Sequence, residues 1–334
     1  MIAAAGLDRL IGDPLWLPHP VVWMGNCISL LRRSVEDWSG ESPKWLRLGG
    51  LAITLVLTLG SASIGWLIER SALNTHGVLQ SVTVLALVAG LASALAAKSL
   101  EQSVLNVIAA LPGEEGGDLS AAREKLGWIV GRDTTSLSRD EILRATAETA
   151  SENAVDGLFA PLFWMLVGAA LWSLGFTAAP GPLALAWAFK AASTLDSMLG
   201  YRRGRLRWLG TAGARLDDLL TWLPCRLVLL SLPLVSKPWR QWPALVRSAE
   251  SEGRHDASPN AGRSEAIYAH CAGVQLGGRN RYGDRWVDKP VLGVDYAKAD
   301  SRGISKILAL TGRLELLWIL SAALLSWSLK RIAQ

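Results

Sequence analysis

The feature that most constrains this chain is a set of long segments without any charged residue. Three such runs cover residues 48–68, 71–97 and 157–189. A helix of about 20 apolar residues crosses the hydrocarbon core of a bilayer, so each run is long enough to span it. Half of the 334 residues are apolar and only 19% are charged, which is unusual for a soluble domain. We therefore expect an all-α, polytopic integral membrane protein.

The apolar segments predict about five to six membrane helices. The third run is interrupted at Gly175 to Pro182 and is expected to form two spans, because glycine and proline break helices. The expected spans are 48–68, 71–97, about 158–178, about 181–200 and about 307–329. The segment 219–236 contains Pro224, Arg226 and Pro233, so we expect it to be kinked or re-entrant, an incomplete crossing.

The polar segments 98–153 and 237–305 are expected to be helical loops that contribute to a functional site. Because no linker and no internal repeat separates the parts of the chain, residues 1–334 are interpreted as a single membrane-embedded domain. Arginines cluster at positions 202, 203, 205 and 207, directly after a predicted span, which places the site on the cytoplasmic side of the inner membrane.

The net charge of +5 has two interpretations. It is typical of positively charged cytoplasmic loops, and it also suits a surface that binds phosphate or carboxylate ligands. No basic and aromatic residues alternate in the way that favours nucleic acid. The three cysteines lie far apart, which indicates neither a metal site nor a disulfide framework.

A row of charged residues leads into the third uncharged run. Ser138 followed by Glu141 has the spacing of a capping box, so we expect a helix to begin near Arg139. Charged residues then recur every four positions and share one helical ridge: Asp140, Arg144, Glu148, Glu152 and Asp156. A solvated helix face has the same spacing. The oxygen ligands that Mg²⁺ prefers are offered by a group within and beside this row: Asp133, Glu148, Glu152, Asn153 and Asp156.

Two further groups combine charge with apolar or glycine-rich surroundings. The first consists of Lys190, Asp196, Arg215, Asp217 and Asp218. A lysine at membrane depth is expected to pair with an acid, and the adjacent aspartates suit either helix-dipole complementation or metal binding. In the second, Gly277 and Gly278 lie beside Arg279 and Arg281, a pattern that fits a phosphate-binding nest or a plain surface loop. Around Asp13 and His19, the prolines and glycines between Gly12 and Gly25 predict an ordered turn.

Several of these strings together resemble the adenosylcobinamide-phosphate synthase family of cobalamin biosynthesis. They occur in the family order between residues 7 and 283: L-D-R-L-I-G-D-P from Leu7, G-R-D-T from Gly131, E-N-A-V-D-G-L-F-A-P-L-F from Glu152, T-L-D-S-M-L-G-Y from Thr194, A-R-L-D-D from Ala214 and N-A-G-R-S-E-A from Asn260. Their shared order makes the resemblance much more specific than any single string. Ser193 and Thr221 depart from it, since the family pattern has asparagine at both positions.

The resemblance implies an integral membrane ligase. It would join the free propionate carboxylate of adenosylcobyric acid to aminopropanol or aminopropanol phosphate, with ATP as co-substrate and Mg²⁺ as the metal. The corrinoid is then a substrate, not a cofactor, and brings its own cobalt. The implied partners are the corrinoid, the amino alcohol, the lipid bilayer and other enzymes of cobalamin assembly.

The resemblance also suggests a role for each charged group. The metal and nucleotide candidates are Asp133, Glu152, Asp156, Asp196, Asp217 and Asp218. Among them, Glu152, Asp156 and Asp217 are the expected Mg²⁺ ligands. The phosphate or acyl-phosphate candidates are Arg132, Lys190 and Arg215. Asn153, Asn260 and Glu265 are expected to orient the amine, Gly277 and Gly278 to bind substrate, and Asp13 with His19 to close the site. All of these residues are expected to converge in one pocket.

Two other functions remain open at this point. Broken apolar segments and Lys190 within a span suit a corrinoid transporter, although the chain lacks an inverted repeat. A non-catalytic membrane signalling protein is the second alternative, against which stand the several groups of acids.

Overall fold

The computed structural model describes residues 1–13, 19–113, 116–236, 239–282 and 285–332, and these are mainly helical. The helices of this part of the chain are α1 (Ile2–Ile11), α2 (Pro20–Ser39), α3 (Pro43–Asn74), α4 (Gly77–Ala92), α5 (Ala97–Ala109), α6 (Ser120–Gly127), α7 (Arg139–Ala154), α8 (Ala160–Ser173), α9 (Pro182–Leu199), α10 (Leu206–Leu209), α11 (Thr211–Val235), α12 (Trp242–Gly253), α13 (Ala261–Ala272) and α14 (Ser301–Ile332). A π-helical turn, Val155–Phe159, joins α7 to α8. Three strands complete the chain: β1 (Val274–Tyr282), β2 (Arg285–Leu292) and β3 (Ala297–Lys298).

The expected all-α polytopic membrane protein is confirmed. Among the described residues, four helical segments are long and apolar enough to cross a membrane: α3, the joined α7 and α8, α11, and Ser301–Ser326 of α14. A fifth is counted if α4 and α5 form one bent span. These helices keep large apolar side chains on their surface, for example Leu59 of α3 at 62% exposure, as a helix facing lipid tails does.

Three predicted segments differ from the structure. The run 71–97 is not one span, because α3 continues to Asn74 and α4 has only 16 residues. At 219–236 the expected re-entrant, incomplete crossing is wrong, since α11 is a continuous helix of 25 residues through Pro224 and Pro233 and is long and apolar enough to span. The 18-residue α9, predicted as a span, is not apolar enough to be counted. Within the predicted turn, residues 14–18 lie outside the described residues.

The first of two compact units contains Met1–Ala96, Asp156–Thr221 and Leu324–Gln334. Helix α9 is its central element and packs against α2, α3, α4 and α8. The contact with α3 is close: a Cβ added at Gly65 would lie 2.8 Å from the Ala184 Cα, so only glycine permits this approach. Small residues at such positions allow helices to pack tightly within a membrane.

The second unit contains Ala97–Val155 and Trp222–Ala323. Both predicted polar loops belong to it. Its α5, α6 and α7 enclose an apolar cluster that includes Val107, Leu126 and Ile142. Helices α12 and α13 pack on each other, and α7 and α13 pack on β1. The chain passes between the units several times, and the expectation of a single domain stays a prediction.

A small sheet in the second unit was not expected. Its order is β2-β1-β3, with β1 antiparallel to β2 and parallel to β3. A bulge separates Gly277 from Gly278, and both have positive φ angles, of 80° and 91°. The bulge places the glycines of the predicted nest within a strand.

Candidate functional site

In the first unit, Lys190 of α9 lies among four carboxylates. Asp13, Asp156, Asp8 and Asp217 all act electrostatically on its ammonium group. Asp8 lies on α1 and Asp13 just after it. Asp156 lies in the π-helical turn and Asp217 on α11. These carboxylates are candidates for the expected acidic partner of Lys190, and the pairing itself stays a prediction. Because π-helical turns often mark functional positions, the location of Asp156 in one fits such a role.

Asp13 and His19 also contact each other. His19 Nε2 lies 3.1 Å from Asp13 Oδ1. On the other side of the ring, Nδ1 accepts a hydrogen bond from the Val21 N–H at 3.3 Å, which caps α2. The His19 ring is thus held by the start of α2 and directed at a member of the Lys190 group.

A cavity of about 590 Å³ lies in the first unit beside the segment that joins α9 to α11. Its polar and aromatic lining includes Tyr201, Arg202, Arg207, Trp208, Arg215 and Asp218. Two of the predicted site residues, Arg215 and Asp218, therefore share this cavity. Asp196 is close to its wall, because a Cβ added to the lining residue Gly200 would lie 2.1 Å from Asp196 Oδ1.

In the second unit, Glu148 of α7 is the centre of a buried hydrogen-bond network. Its carboxylate accepts from Arg132 Nη2 at 2.6 Å, Arg144 Nη1 at 2.8 Å and the Gly277 N–H at 2.9 Å. Both arginines also donate to Asn280 Oδ1, at 2.6 and 3.1 Å. A buried carboxylate with this many donors is fully compensated, so the network fastens β1 to α7.

This network changes the interpretation of two predicted residues. The Arg132 side chain is only 7% exposed, and its guanidinium group is directed at Glu148 and Asn280. The Gly277 N–H, which a phosphate nest would need, donates to Glu148. Gly277 and Gly278 nevertheless line a second cavity of about 310 Å³, together with Arg144, Arg279 and Lys298.

Asp133 forms a local turn in the second unit. Its Oδ1 accepts from the Thr135 N–H at 2.9 Å and from the Thr135 hydroxyl at 2.7 Å. These hydrogen bonds lower the pKa of the Asp133 carboxyl. Arg281 lies near, with its Nε 3.8 Å from Asp133 Oδ2.

A second buried group surrounds Lys289 of β2. Its Nζ lies 2.9 Å from Glu265 Oε1 and 3.4 Å from Asp256 Oδ2. Burial lowers the pKa of Lys289, but Glu265, Glu152 and Asp256 outweigh it and raise the pKa above its ordinary value. Burial raises the pKa of Glu265, against the influence of Lys289. Glu265 is 1% exposed, and its Oε2 accepts no hydrogen bond from the described residues.

Asn260 is fixed by α11 and α12. Its side-chain oxygen accepts from Arg226, which also donates to the Pro259 carbonyl at 2.9 Å. Arg263 binds the same carbonyl at 2.8 Å and makes two hydrogen bonds to Glu250, at 2.8 and 2.6 Å. Asn260 is 4% exposed, so its amide acts within a rigid segment. Asn153, on α7, has an exposed side chain.

The predicted site residues therefore fall into two sets. The first unit holds Asp13, His19, Asp156, Lys190, Asp196, Arg215, Asp217 and Asp218, and the second holds Arg132, Asp133, Glu152, Asn153, Asn260, Glu265, Gly277 and Gly278. The described residues contain no group of three or more His, Cys, Asp or Glu side chains arranged to hold a metal ion. The convergence of both sets in one pocket and the magnesium site at Glu152, Asp156 and Asp217 stay predictions.

Sequence reasoning missed several residues of these groups. Asp8 lies in the family string from Leu7, so that string was a usable signal. Arg202 and Arg207 were interpreted only as markers of membrane topology. Asn280 and Lys289 gave no local signal, because their partners are more than 20 residues away.

One departure from the family pattern lies in a buried place. Thr221 of α11 is 1% exposed, and its hydroxyl has no hydrogen-bond partner among the described residues. An asparagine there would carry more hydrogen-bonding groups than the threonine does. The difference therefore changes the polarity of the interior of the chain at this point.

Comparisons with known proteins agree on one family. The family model described as CobD/Cbib protein matches residues 1–311. The cobalamin biosynthesis protein CobD of Synechocystis is 45% identical over 87% of this chain and 80% of its own length. The CobD of Geobacter metallireducens is 38% identical, covering 98% and 96%, and the cobalamin biosynthesis protein CbiB of Salmonella arizonae is 37% identical, covering 86% and 84%. No solved structure matches the chain. The chain belongs to the CobD/CbiB family.

Proposed function

We propose that this protein acts in cobalamin biosynthesis as an adenosylcobinamide-phosphate synthase. It attaches aminopropanol or aminopropanol phosphate to the free propionate carboxylate of adenosylcobyric acid, by amide ligation that depends on ATP and Mg²⁺. The observation that carries this proposal is the family match over residues 1–311, with relatives named cobalamin biosynthesis proteins. The site faces the cytoplasm at the inner membrane, where the arginines after α9 favour the cytoplasmic side.

The chemistry requires an activated carboxylate. A carboxylate and an amine form an amide only after the carboxylate oxygen has become a leaving group, and ATP supplies the phosphoryl group for this. The protein then has to position the reactants and neutralise charge. Lys190 and Arg215 are the cations of the first unit suited to the phosphoryl oxygens.

Carboxylates of the first unit fit the metal. Mg²⁺ is usually bound by one or two carboxylates together with waters and substrate phosphates, so a dedicated cage of protein ligands is not needed. Asp156 and Asp217, both close to Lys190, and Asp218 in the neighbouring cavity offer suitable oxygens. When bound, Mg²⁺ would neutralise phosphate charge.

Glu265 is suited to the amine substrate. Its Oε2 is buried and accepts no hydrogen bond from the described residues, so it retains capacity to accept one from an ammonium or hydroxyl group. Lys289 holds the other oxygen at 2.9 Å and thereby orients the carboxylate. Asn260, fixed by Arg226, would supply a neutral polar contact.

The decisive experiment uses the purified protein in detergent. It is incubated with adenosylcobyric acid, aminopropanol phosphate and Mg-ATP, and the amide is sought by mass spectrometry. We expect product only when ATP is present. A transporter needs a sealed membrane, so the complete absence of turnover in detergent, from protein that still binds the corrinoid, contradicts the proposal.

Asp217→Asn gives a sharper test. The substitution removes one carboxylate charge beside Lys190, and we expect the amide product to be lost while the protein is still recovered folded from membranes. Asp37→Asn is the matched control, because Asp37 is exposed on α2 and forms no ion pair in the described part of the chain. Equal synthesis by both variants excludes Asp217 from the site.

A further inference from the structure

The cavity of about 590 Å³ in the first unit is strongly cationic. Arg202, Arg207 and Arg215 line it, and Asp218 supplies one carboxylate. None of the three arginines forms a salt bridge within the described ranges. Arg205 makes the contrast clear: it lies in the same segment but outside the lining, and its Nη2 is 2.6 Å from Glu41 Oε1. Three arginines without a salt bridge in the described ranges therefore meet on one concave surface.

The aromatic lining of this cavity is already occupied. Trp208 is contacted by two guanidinium groups, of Arg47 at 4.4 Å and Arg207 at 4.9 Å from the ring centroid. Arg203 lies 4.9 Å from the centroid of Tyr201. A nucleobase stacking on either ring would have to displace an arginine. The Trp208 ring instead holds the lining residue Arg207 in place, which favours recognition of the anionic part of a ligand.

The charge of the cavity selects among anions. The lining has three guanidinium groups and one carboxylate, and Asp196 lies close to the wall, so positive charge remains in excess. Several guanidinium groups side by side match the adjacent charges of a polyphosphate better than a lipid phosphodiester, which carries a single negative charge. The Asp218 carboxylate also offers an oxygen ligand to the divalent cation that accompanies a polyphosphate.

We propose that this cavity binds the polyphosphate group of a soluble nucleotide, with Arg202 and Arg207 contacting phosphate oxygens beside Arg215. The inference rests on the proposed function, because ATP is the co-substrate there. Arg202 and Arg207, which were interpreted from the sequence only as a mark of the cytoplasmic side, thereby gain a role in binding.

The test measures binding to the full-length protein in nanodiscs of phosphatidylcholine alone. The probes are inorganic tripolyphosphate and Mg-ATP, and the affinity for each is measured by isothermal titration calorimetry. Each substitution removes hydrogen bonds from a charged donor. We therefore expect the double variant Arg202→Gln with Arg207→Gln to bind each probe with about 100-fold lower affinity. Arg203→Gln is the matched control and is expected to change affinity less than about twofold, because Arg203 does not line the cavity.

The result that overturns the inference is unchanged affinity of the double variant, or a loss equal to that of Arg203→Gln. A second contradiction is binding that anionic phosphatidylglycerol in the nanodisc abolishes, since the cavity would then hold a lipid headgroup. Replacement of both arginines by lysine, which keeps the charge, is expected to restore part of the affinity and shows that the fold is intact.

Kinetics separate this inference from the proposed function. We expect the double variant to raise the KM for ATP with little change in kcat, because it removes ground-state binding. If the double variant forms the amide with an unchanged KM for ATP, the proposed ligase function stands and nucleotide binding in the cavity is rejected. If the protein forms no amide but binds tripolyphosphate in a way that depends on the two arginines, polyphosphate binding in the cavity is supported and the ligase function is rejected.

Discussion

Glu69 is a single carboxylate that organises the central helix of the first unit. It is fully buried on α3 and accepts hydrogen bonds from the N–H groups of Gly181, Leu183 and Ala184, at 2.9, 2.6 and 3.2 Å. The first N–H groups of a helix lack partners within it, and its N-terminus attracts negative charge. Glu69 therefore stabilises the start of α9, the helix that carries Lys190 and Asp196.

Removal of this carboxylate should destabilise the first unit. Glu69→Ala leaves the buried N–H groups without their acceptor, and we expect a loss of about 1–3 kcal/mol in the free energy of unfolding. Thermal unfolding of the purified protein in detergent measures the change. Glu36→Gln serves as the control, since it removes only the helical pair with Arg32, which is expected to contribute about 0.5 kcal/mol or less. Equal melting temperatures of the two variants would show that Glu69 does not stabilise α9.

The Glu250 and Arg263 pair predicts a pH effect. The hydrogen bonds from Arg263 lower the pKa of the Glu250 carboxyl below its ordinary value of 4.5. A lowered pKa means that the folded protein favours the ionised form, so this stabilisation is present above pH 4.5 and disappears as the pH falls through the folded pKa. Glu250→Gln should lower stability by about 0.5–1 kcal/mol at pH 7 and have little effect near pH 3. Melting curves of both proteins from pH 7 to pH 3 test this, and a constant difference contradicts it.

Among the secondary-structure elements, features that depend on local sequence were predicted, whereas the sheet, which depends on long-range contacts, was not. The capping box at Ser138 is confirmed, because the Ser138 hydroxyl and the Glu141 carboxylate contact each other's backbone. The three-stranded sheet was missed, because two consecutive glycines break the alternating pattern of β1. The strand is instead fastened by Arg144, which donates to the carbonyls of Gly277 and Arg279 at 2.7 and 3.0 Å.

The bulge in β1 offers a matched pair of substitutions. Gly277 and Gly278 both have positive φ, so alanine is strained at either position. Only at Gly277 would the new Cβ clash, lying 1.9 Å from the Pro290 carbonyl oxygen, whereas nothing lies within 4 Å at Gly278.

We expect Gly278→Ala to cost about 1–2 kcal/mol of stability, and Gly277→Ala clearly more. Hydrogen exchange of the β1 and β2 amides, compared with those of α9 in the first unit, localises the effect. A larger loss at Gly278 than at Gly277 would show that the backbone of β1 does not approach β2 at Pro290.

At the scale of the whole molecule, the chain alternates between two units, each built from segments distant in sequence. Ser136 and Ser251 are exposed residues of the second unit. We expect both positions on the cytoplasmic side, because they lie in the two polar segments, 98–153 and 237–305, that are expected to contribute to a cytoplasmic site.

Cysteine labelling tests this expectation. Cys27 is exposed and is first replaced by serine. Single cysteines at positions 136 and 251 are then treated with a membrane-impermeant maleimide on intact cells and on inverted vesicles. We expect both to react only in the inverted vesicles, as a cytoplasmic location requires. Labelling of the two positions from opposite sides is the outcome that contradicts this topology.

Segment composition and motif order were enough to predict the class of the molecule and its family. The free energy of moving an uncharged segment into lipid depends mainly on that segment, so a polytopic membrane protein could be predicted, although the bounds of individual spans such as 71–97 could not. The family could likewise be recognised from the sequence alone, because its strings occur in the family order between Leu7 and Gly283. Local hydrogen bonding similarly made the start of α7 predictable.

Which charges meet depends on how distant segments of the chain pack together. Arg132 and Asn280 are 148 positions apart in the chain, and their hydrogen bond beside Glu148 turns a predicted phosphate ligand into part of the scaffold. In the same way, carboxylates from four separate segments act electrostatically on Lys190, and three arginines that form no salt bridge in the described ranges line one cavity. Electrostatic energy depends on distance in space and on burial, and neither can be read from residue spacing once the partners lie on different elements.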